Sequence, residues 1–236
     1  MRICIISDIH ANFAALTSLP GDYDELWVLG DLVNYGPRPA EVVDWVRGHA
    51  ACVVRGNHDH AVANDCAAFA SPAYREMARA TQEKTEALLS EAQKRWLRKL
   101  PLRVKLKRED AHVYLCHAVP SDPLYAYCPA DSPRWAEEAA KAGTDVLLAG
   151  HTHTPFVRRE GTCTIVNPGS LGQPKTGNPE SCYAVWENGI FELKSFAYPI
   201  DETADQIREM GLSPALQEGL IHVLRTGRLP VGQGAR

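Results

Sequence analysis

Five apolar runs punctuate the first 150 residues, and each ends in a short cluster of oxygen and imidazole side chains. Ile3-Cys4-Ile5-Ile6 leads to Asp8-Ile9-His10, and Leu26-Trp27-Val28-Leu29 leads to Gly30-Asp31. Ala51-Cys52-Val53-Val54 leads to Gly56-Asn57-His58-Asp59, Val113-Tyr114-Leu115-Cys116 to His117, and Val146-Leu147-Leu148-Ala149 to Gly150-His151-Thr152-His153. Short apolar runs bounded by glycine and polar residues read as buried strands. Clusters at the C-terminal ends of five such strands share one sheet edge, where open α/β folds keep their active sites. Together they read as one two-metal site, and a site this dense predicts an enzyme.

Between the runs the pattern changes period. Strands over 2–7, 26–29 and 51–54 alternate with helical stretches near 12–19 and 39–48, the βαβ rhythm of a mainly parallel sheet. Residues 60–100 carry no strand signal and are rich in Ala, Glu, Lys, Arg, Leu and Gln. Two or three helices fit there, with Ser90 and Gln93 as a capping box and Pro101 as the stop. Strands near 103–107 and 112–116, a helix at 134–142 and the strand at 146–149 follow. The segments 156–159, 162–166, 182–186 and 190–196 read as antiparallel strands of a second sheet. Helical composition returns over 201–225, broken at Gly211-Leu212-Ser213-Pro214, and Val231-Gly232-Gln233-Gly234 reads as a frayed end. The pattern describes a mixed α/β fold in one domain over 1–236, with a helical insertion at about 60–100 and C-terminal helices at about 201–225.

At 236 residues and 45% hydrophobic, the chain is long enough to close one large core. A formal net charge of −4 provides no basic footprint, so nucleic acid is not the expected partner. No apolar run approaches the ~20 residues of a membrane span, and the N-terminus starts on a strand instead of a basic segment with an apolar core. No membrane association and a cytoplasmic location are the expectations. Seven cysteines, odd in number and without a C-x-x-C pair, fit neither a disulfide framework nor a zinc knuckle. Cys4, Cys52, Cys116 and Cys163 sit in strand-like runs as small core residues.

The order and content of the five clusters resemble the calcineurin-like metallophosphoesterase superfamily, whose signature runs D-x-H, G-D, G-N-H-[DE], a lone H and G-H-x-H. All five blocks are present in order, within roughly residues 2–170. With Asn167-Pro168-Gly169-Ser170 after the histidine pair, the chain is most similar to the small bacterial and archaeal branch of YfcE-type phosphodiesterases. The resemblance implies a four-layer α/β/β/α sandwich of two mixed sheets flanked by helices. Carried over position by position, it implies one divalent ion held by Asp8, His10, Asp31 and His153. A second is held by Asp31, Asn57, His117 and His151, with Asp31 as the bridge. It implies in-line attack on a phosphate ester by a hydroxide shared between ions ~3.5–4 Å apart. His58 is then the general acid for the leaving group, and Asp59 orients its ring or raises its pKa. Imidazole, carboxylate and amide ligands without thiolate suit Mn²⁺ first, with Fe, Zn, Ni or Co as alternatives.

Several of these residues have plainer readings. Asp8 can cap a helix, Asp31 can anchor a turn and His117 can be a hydrogen-bonded core histidine. His151 and His153 resist this, because two unpaired imidazoles in a buried setting are costly. His49, His60, His112 and His222 fit no cluster. Asn12 either reaches the substrate or caps the first helix, and Asn167 and Ser170 either steady a ligand or form a Pro-Gly turn.

Departures from relatives bear on substrate. Protein Ser/Thr phosphatases and symmetrical diadenosine tetraphosphatases carry an Asp-Arg pair whose arginine clamps phosphate; here the corresponding stretch is Asp31-Leu32-Val33-Asn34-Tyr35-Gly36-Pro37, in which the clamp is missing, leaving Arg38 or Arg55 as substitutes and Asn34 and Tyr35 as candidate substrate contacts. YfcE-type proteins usually show Cys in place of His58. An open site without the clamp suits a singly charged diester better than a dianionic monoester. A small phosphodiester is therefore the expected substrate, with a phosphomonoester, a dinucleoside polyphosphate or a phosphoprotein as alternatives. The non-enzyme alternative is a protein-binding scaffold like the retromer subunit, in which the catalytic histidine is lost. The loop Ser121 to Asp131, with Tyr125 and Tyr127, reads with the 60–100 stretch as a lid over the substrate, or as the contact of a homo-oligomer.

Overall fold

The computed structural model describes residues 1–67, 70–72 and 74–229, so the expected frayed end at 231–234 lies outside the described residues. The chain runs β1 (Arg2–Ile6), α1 (Phe13–Thr17), β2 (Glu25–Val28), α2 (Pro39–His49), β3 (Cys52–Val53), α3 (Asn57–Asn64), α4 (Arg75–Leu88), α5 (Glu91–Lys99) and β4 (Arg103–Arg108). It continues as β5 (Ala111–Cys116), α6 (Trp135–Ala142), β6 (Val146–Leu148), β7 (Phe156–Glu160), β8 (Cys163–Asn167), β9 (Ser181–Glu187), β10 (Ile190–Phe196), α7 (Ile200–Glu209) and α8 (Pro214–Thr226).

Two five-stranded sheets form, in the orders β10-β9-β1-β2-β3 and β4-β5-β6-β8-β7. Strand β1 shows why they stack. Its side chains alternate, Ile3 and Ile5 into the layer between the sheets and Cys4 and Ile6 into the layer under the helices, so both faces need cover. Between the sheets, Ile3, Ile5 and Trp27 meet Val113, Leu115 and Leu148. Leu16, Val42, Val46 and Leu97 of α1, α2 and α5 cover the outer face of the first sheet. Trp135, Ala139 and Ala142 of α6 cover that of the second. The result is the expected four-layer α/β/β/α sandwich. All seven cysteines are free, and Cys4, Cys116 and Cys163 lie in these layers.

Two expectations about placement fail. The four late strands do not share the second sheet: β7 and β8 join it, with β8 parallel to β6, while β9 and β10 return to the first sheet and pair β9 antiparallel with β1. Strand β9 is buried on both faces, Tyr183 and Val185 on one side and Ala184 and Trp186 on the other, and only a central position provides that. Nor do the five clusters line one sheet edge. Three follow strands of the first sheet and two follow strands of the second, and they meet because both sheets direct their C-terminal ends to the same side.

The 60–100 stretch holds three helices, and α3 begins on Asn57 itself, so the stretch grows out of a cluster instead of being detached from it. The capping box of α5 is present: Ser90 N–H donates to Gln93 Oε1 (2.9 Å) and Gln93 N–H to Ser90 Oγ (3.3 Å). Helices α4, α7 and α8 share a further apolar cluster through Met77, Ala78, Ile207, Leu220 and Leu224, which also covers Tyr35. No helix among the described residues is long and apolar enough to cross a membrane.

One carboxylate ties the ends of β2 and β3 together. Asp59 Oδ1 accepts from the N–H groups of Leu32 (2.8 Å) and Val33 (3.3 Å), and Oδ2 accepts from those of Asp31 (2.9 Å) and Gly56 (2.9 Å). The side chain is fully buried in the first turn of α3, where the helix end favours negative charge. Burial and the Asp31 carboxylate push its pKa up to about 7, and the amides oppose them. Gly56 permits the approach, since a Cβ there would collide with Asp31 Oδ1. Replacing Asp59 by Ala orphans four buried donors, so urea denaturation of Asp59→Ala is expected to show a loss of at least ~3 kcal/mol, partly recovered in Asp59→Asn. A loss below ~1 kcal/mol would remove this role.

Candidate metal centre

The ligand-bearing loops hold unusual backbone. Asp8, His10, Asp31, His151 and His153 all have positive φ (55°, 48°, 54°, 65° and 61°). For residues with a Cβ each such conformation costs on the order of 1 kcal/mol or more and persists only when the surroundings over-determine it. Backbone bonds do so: Asp8 N–H to Gly30 C=O (3.0 Å), His10 N–H to Asp31 C=O (2.9 Å) and Gly150 N–H to His117 C=O (2.7 Å).

The loops deliver two groups of side chains. Ligand atoms of Asp8, His10 and His153 lie within 4.8 Å of one another, and so do those of Asp31, His117 and His151. In the first group, His10 Nδ1 donates to Val33 C=O (3.2 Å) and His153 Nδ1 to Gln173 C=O (2.5 Å), because a carbonyl can only accept. Their Nε2 atoms are then lone pairs, and they face each other at 3.2 Å. Asp8 Oδ2 is held by His151 N–H (3.1 Å), while Asp8 Oδ1 is buried without a hydrogen-bond donor, 3.2 Å from His153 Nε2. In the second group, His117 Nδ1 donates to Leu29 C=O (2.8 Å). Its Nε2 faces Asn57 Oδ1 (3.0 Å), His151 Nδ1 (3.1 Å) and Asp31 Oδ2 (3.3 Å).

Buried carboxylate, amide and imidazole groups converging this closely, with Asp8 Oδ1 left without a donor, fit divalent ions. Asp31 lies between the two groups: its Oδ2, 3.3 Å from His117 Nε2, is 3.8 Å from His10 Nε2, and its Oδ1 is fixed by His58 N–H (2.9 Å). Burial and the neighbouring carboxylates act on these imidazoles in opposite directions. Burial pulls His117 down, but the Asp31 and Asp8 carboxylates push it up to about 9. Burial takes His151 down to about 3 and His10 well below its ordinary value.

His58 stands beside the second group, its Nε2 4.0 Å from Asp31 Oδ2. Asp59 does not touch the ring; its oxygens are occupied by backbone amides, which removes the expected orienting role. Asn34 takes that place. Its Oδ1 accepts from Tyr35 N–H (3.0 Å) and its Nδ2 donates to Ala78 C=O (3.1 Å), which fixes the amide's direction and turns Nδ2 on His58 Nδ1 (2.8 Å). His58 Nδ1 therefore accepts, and its proton sits on Nε2. Burial lowers the ring's pKa to about 4, opposite to the expected rise. At neutral pH His58 is a hydrogen-bond donor, not an imidazolium.

The remaining expected residues divide. Tyr35 is buried with its ring edge-on to His10, centroids 4.9 Å apart, and 5.0 Å from His58. Asn167 Nδ2 donates to Gly150 C=O (2.7 Å), and Ser170 Oγ to Asp8 C=O (2.7 Å), so both steady ligand loops. Asn12 is the N-cap of α1, accepting from Ala15 N–H (3.2 Å), and its amide is spent on Gly172 C=O and Tyr198 Oη, which settles its two readings against substrate contact. Arg38 is paired with Glu41 (2.7 Å) away from the cleft, and Arg55 donates to Arg98 C=O (2.8 Å); neither replaces the missing clamp. His60 turns to Asn64.

A cleft of about 390 Å³ opens onto Asp31, Asn57, His58, His151 and His153. Its outer wall carries Tyr74, Tyr125 and Tyr127, as the lid reading expected, together with Lys175. Lys175 was not anticipated, because it lies beyond the last sequence cluster, in a loop whose path the pattern does not specify. A cavity of about 450 Å³ at the N-terminal ends of β5, β6 and β8, bordered by His112, Asp145 and Cys163, brings together no comparable ligand group among the described residues.

Comparison with known proteins agrees with this geometry. The model of the calcineurin-like phosphoesterase superfamily domain matches residues 1–188. A metallophosphoesterase from Sphaerobacter thermophilus, known from its crystal structure, is 32% identical and superposes on 96% of this chain and 99% of its own at a TM-score of 0.81. The uncharacterized protein MJ0912 of Methanocaldococcus jannaschii is 28% identical over 241 residues, 92% of this chain and 96% of its own. Phosphodiesterase YfcE of Escherichia coli K12 is 27% identical over 208 residues, 82% of this chain and 91% of its own. By domain match and by fold, this chain belongs to the calcineurin-like phosphoesterase superfamily.

Proposed function

We propose that this protein is a metal-dependent phosphoric ester hydrolase that works with two divalent ions, Mn²⁺ first among them. The observation that carries the proposal is the convergence of buried imidazole, carboxylate and amide groups: His10 Nε2 on His153 Nε2 beside an Asp8 oxygen without a donor, and His117 Nε2 on Asn57 Oδ1, His151 Nδ1 and Asp31 Oδ2. Asp8, His10, Asp31 and His153 would hold one ion; Asp31, Asn57, His117 and His151 would hold the other. Ions in such a pair neutralise phosphoryl oxygens and acidify a shared water.

The chain's own residues supply the rest. His58 directs its Nε2–H over Asp31 into the cleft, where it donates to the leaving oxygen as charge develops there, and Asn34 holds the ring in that tautomer. Tyr35 packs against the His58 ring, lines the same cleft and belongs to the apolar cluster of α4 and α8, which limits the ring's movement. A cleft of about 390 Å³ suits a small ester. Likeness to YfcE, named a phosphodiesterase, supports diesters as substrates. Lys175 lines the cleft, so the missing arginine clamp does not by itself favour a diester. A scaffold role fits poorly with seven converging ligand residues and His58 in place.

Removal of metal with chelator is expected to abolish hydrolysis of bis-p-nitrophenyl phosphate, and Mn²⁺ to restore it. Asp31→Asn is expected to lose on the order of 10²-fold or more under the same conditions. A rate indifferent to both treatments would end the two-metal reading. His58→Ala is expected to cost ~10²–10³-fold in kcat on an ester with an alkyl leaving group and much less on one releasing p-nitrophenolate, which needs little help to depart. Equal rates for His58→Ala and the unmodified protein on the alkyl ester would remove His58 from the mechanism.

A further inference from the structure

We propose that Lys175 gives this site its affinity for dianionic phosphomonoesters, by donating to the third non-bridging phosphoryl oxygen that a diester lacks. The inference rests on the hydrolase reading above and specifies its substrate class.

Lys175 belongs to the loop between β8 and β9 and reaches the same cleft as Asp31, His58 and His151. Its Nζ lies 4.5 Å from the centroid of the Tyr74 ring, and among the described residues no carboxylate stands within ion-pair distance of it. A half-buried ammonium that rests on an aromatic face and faces a cleft is a cation awaiting an anion. Burial pulls its pKa down to about 8, against Asp8 and Asp31, so it is still charged at neutral pH.

The fold holds it there from two sides. Gly177 N–H donates to Gly227 C=O (3.1 Å), and a Cβ on Gly227 would lie 2.6 Å from Asn178 C=O, so the end of α8 grips the loop two residues from the lysine. Tyr74 is packed into the cluster that α8 shares with α4.

The chemistry of the phosphoryl group decides what the ammonium selects. A monoester presents three charged non-bridging oxygens, whereas a diester presents two and an esterified third. Where the metal centre engages two oxygens, the third accepts a charge-assisted hydrogen bond from Lys175 in a monoester only. A bond of that kind corresponds to roughly 10–100-fold in affinity.

The test uses the full chain loaded with Mn²⁺ and two readouts. In turnover, Lys175→Met is expected to lower kcat/KM for p-nitrophenyl phosphate at least ~10-fold more than for bis-p-nitrophenyl phosphate, with the loss in KM. In calorimetry, the same variant is expected to bind inorganic phosphate at least ~10-fold more weakly, and Lys175→Arg to recover most of the loss. Equal losses on both esters, or an unchanged phosphate affinity in a variant whose melting temperature is unaltered, would overturn the assignment. If the unmodified protein hydrolyses neither ester, the hydrolase reading fails, and the calorimetric comparison still decides whether Lys175 holds phosphate.

Discussion

The geometry of the centre depends on the Asp59 carboxylate and the amides it gathers. Three of its four donors are the consecutive N–H groups of Asp31, Leu32 and Val33, and the fourth is Gly56 at the start of α3. Without that anchor the loop after β2 would have to satisfy three buried donors elsewhere, and Asp31 would lose the left-handed backbone that aims its carboxylate between the two ligand groups. The same contact fixes the first turn of α3, from which Asn57 and His58 project. A single buried carboxylate therefore sets Asp31, Asn57 and His58 relative to one another.

That arrangement is unstable as a collection of protein groups and becomes reasonable only around cations. Five strained backbone conformations, lone pairs facing at about 3 Å and an orphaned Asp8 oxygen all lie on one side of the sandwich. Elsewhere the layers obey ordinary rules: alternating strands, capped helices and apolar contacts between Trp27, Trp186 and the facing sheet. Local rules are broken where the carboxylates and imidazoles converge, as at sites whose surroundings over-determine the backbone. Backbone bonds hold Asp8 to Gly30 and His10 to Asp31, and the carboxylates of Asp59 and Asp8 take the N–H groups of Asp31 and His151.

What the sequence showed and what it hid follow from the range of the interactions involved. Strands and helices were legible because each apolar run has its own period and its own stop, as at Pro101 and in the Ser90–Gln93 box. The candidate ligand clusters were legible because each is short and begins where its strand ends. Sheet membership was not, since β9 reads as a strand whether it pairs with β8 or with β1, and the choice is made by which core its two faces fill. Adjacency misled at Asp59: the residue next to His58 points to backbone amides, and the ring's partner is Asn34, 24 positions away. Lys175 and Tyr74 were hidden for a further reason, because no motif carries them and only tertiary packing brings both to the cleft.

That last point separates two layers of the protein. The ligands sit on strand ends fixed by the sandwich, so they answer to the core and change little with what happens at the surface. The outer wall of the cleft carries Tyr74 next to α4, Tyr125, Tyr127 and Lys175 of the β8–β9 loop, and α8 packs behind it. Leu220 and Leu224 of α8 share a cluster with Met77 and Ala78 of α4, and Gly177 N–H donates to Gly227 C=O at the end of α8. A change in the C-terminal helices therefore reaches Tyr74 and the Lys175 loop through this packing, and also Tyr35, whose ring lies 4.9 Å from that of His10 and 5.0 Å from that of His58. On the proposed reading the strand ends carry the chemistry, and the cleft wall that α8 supports discriminates among phosphate esters.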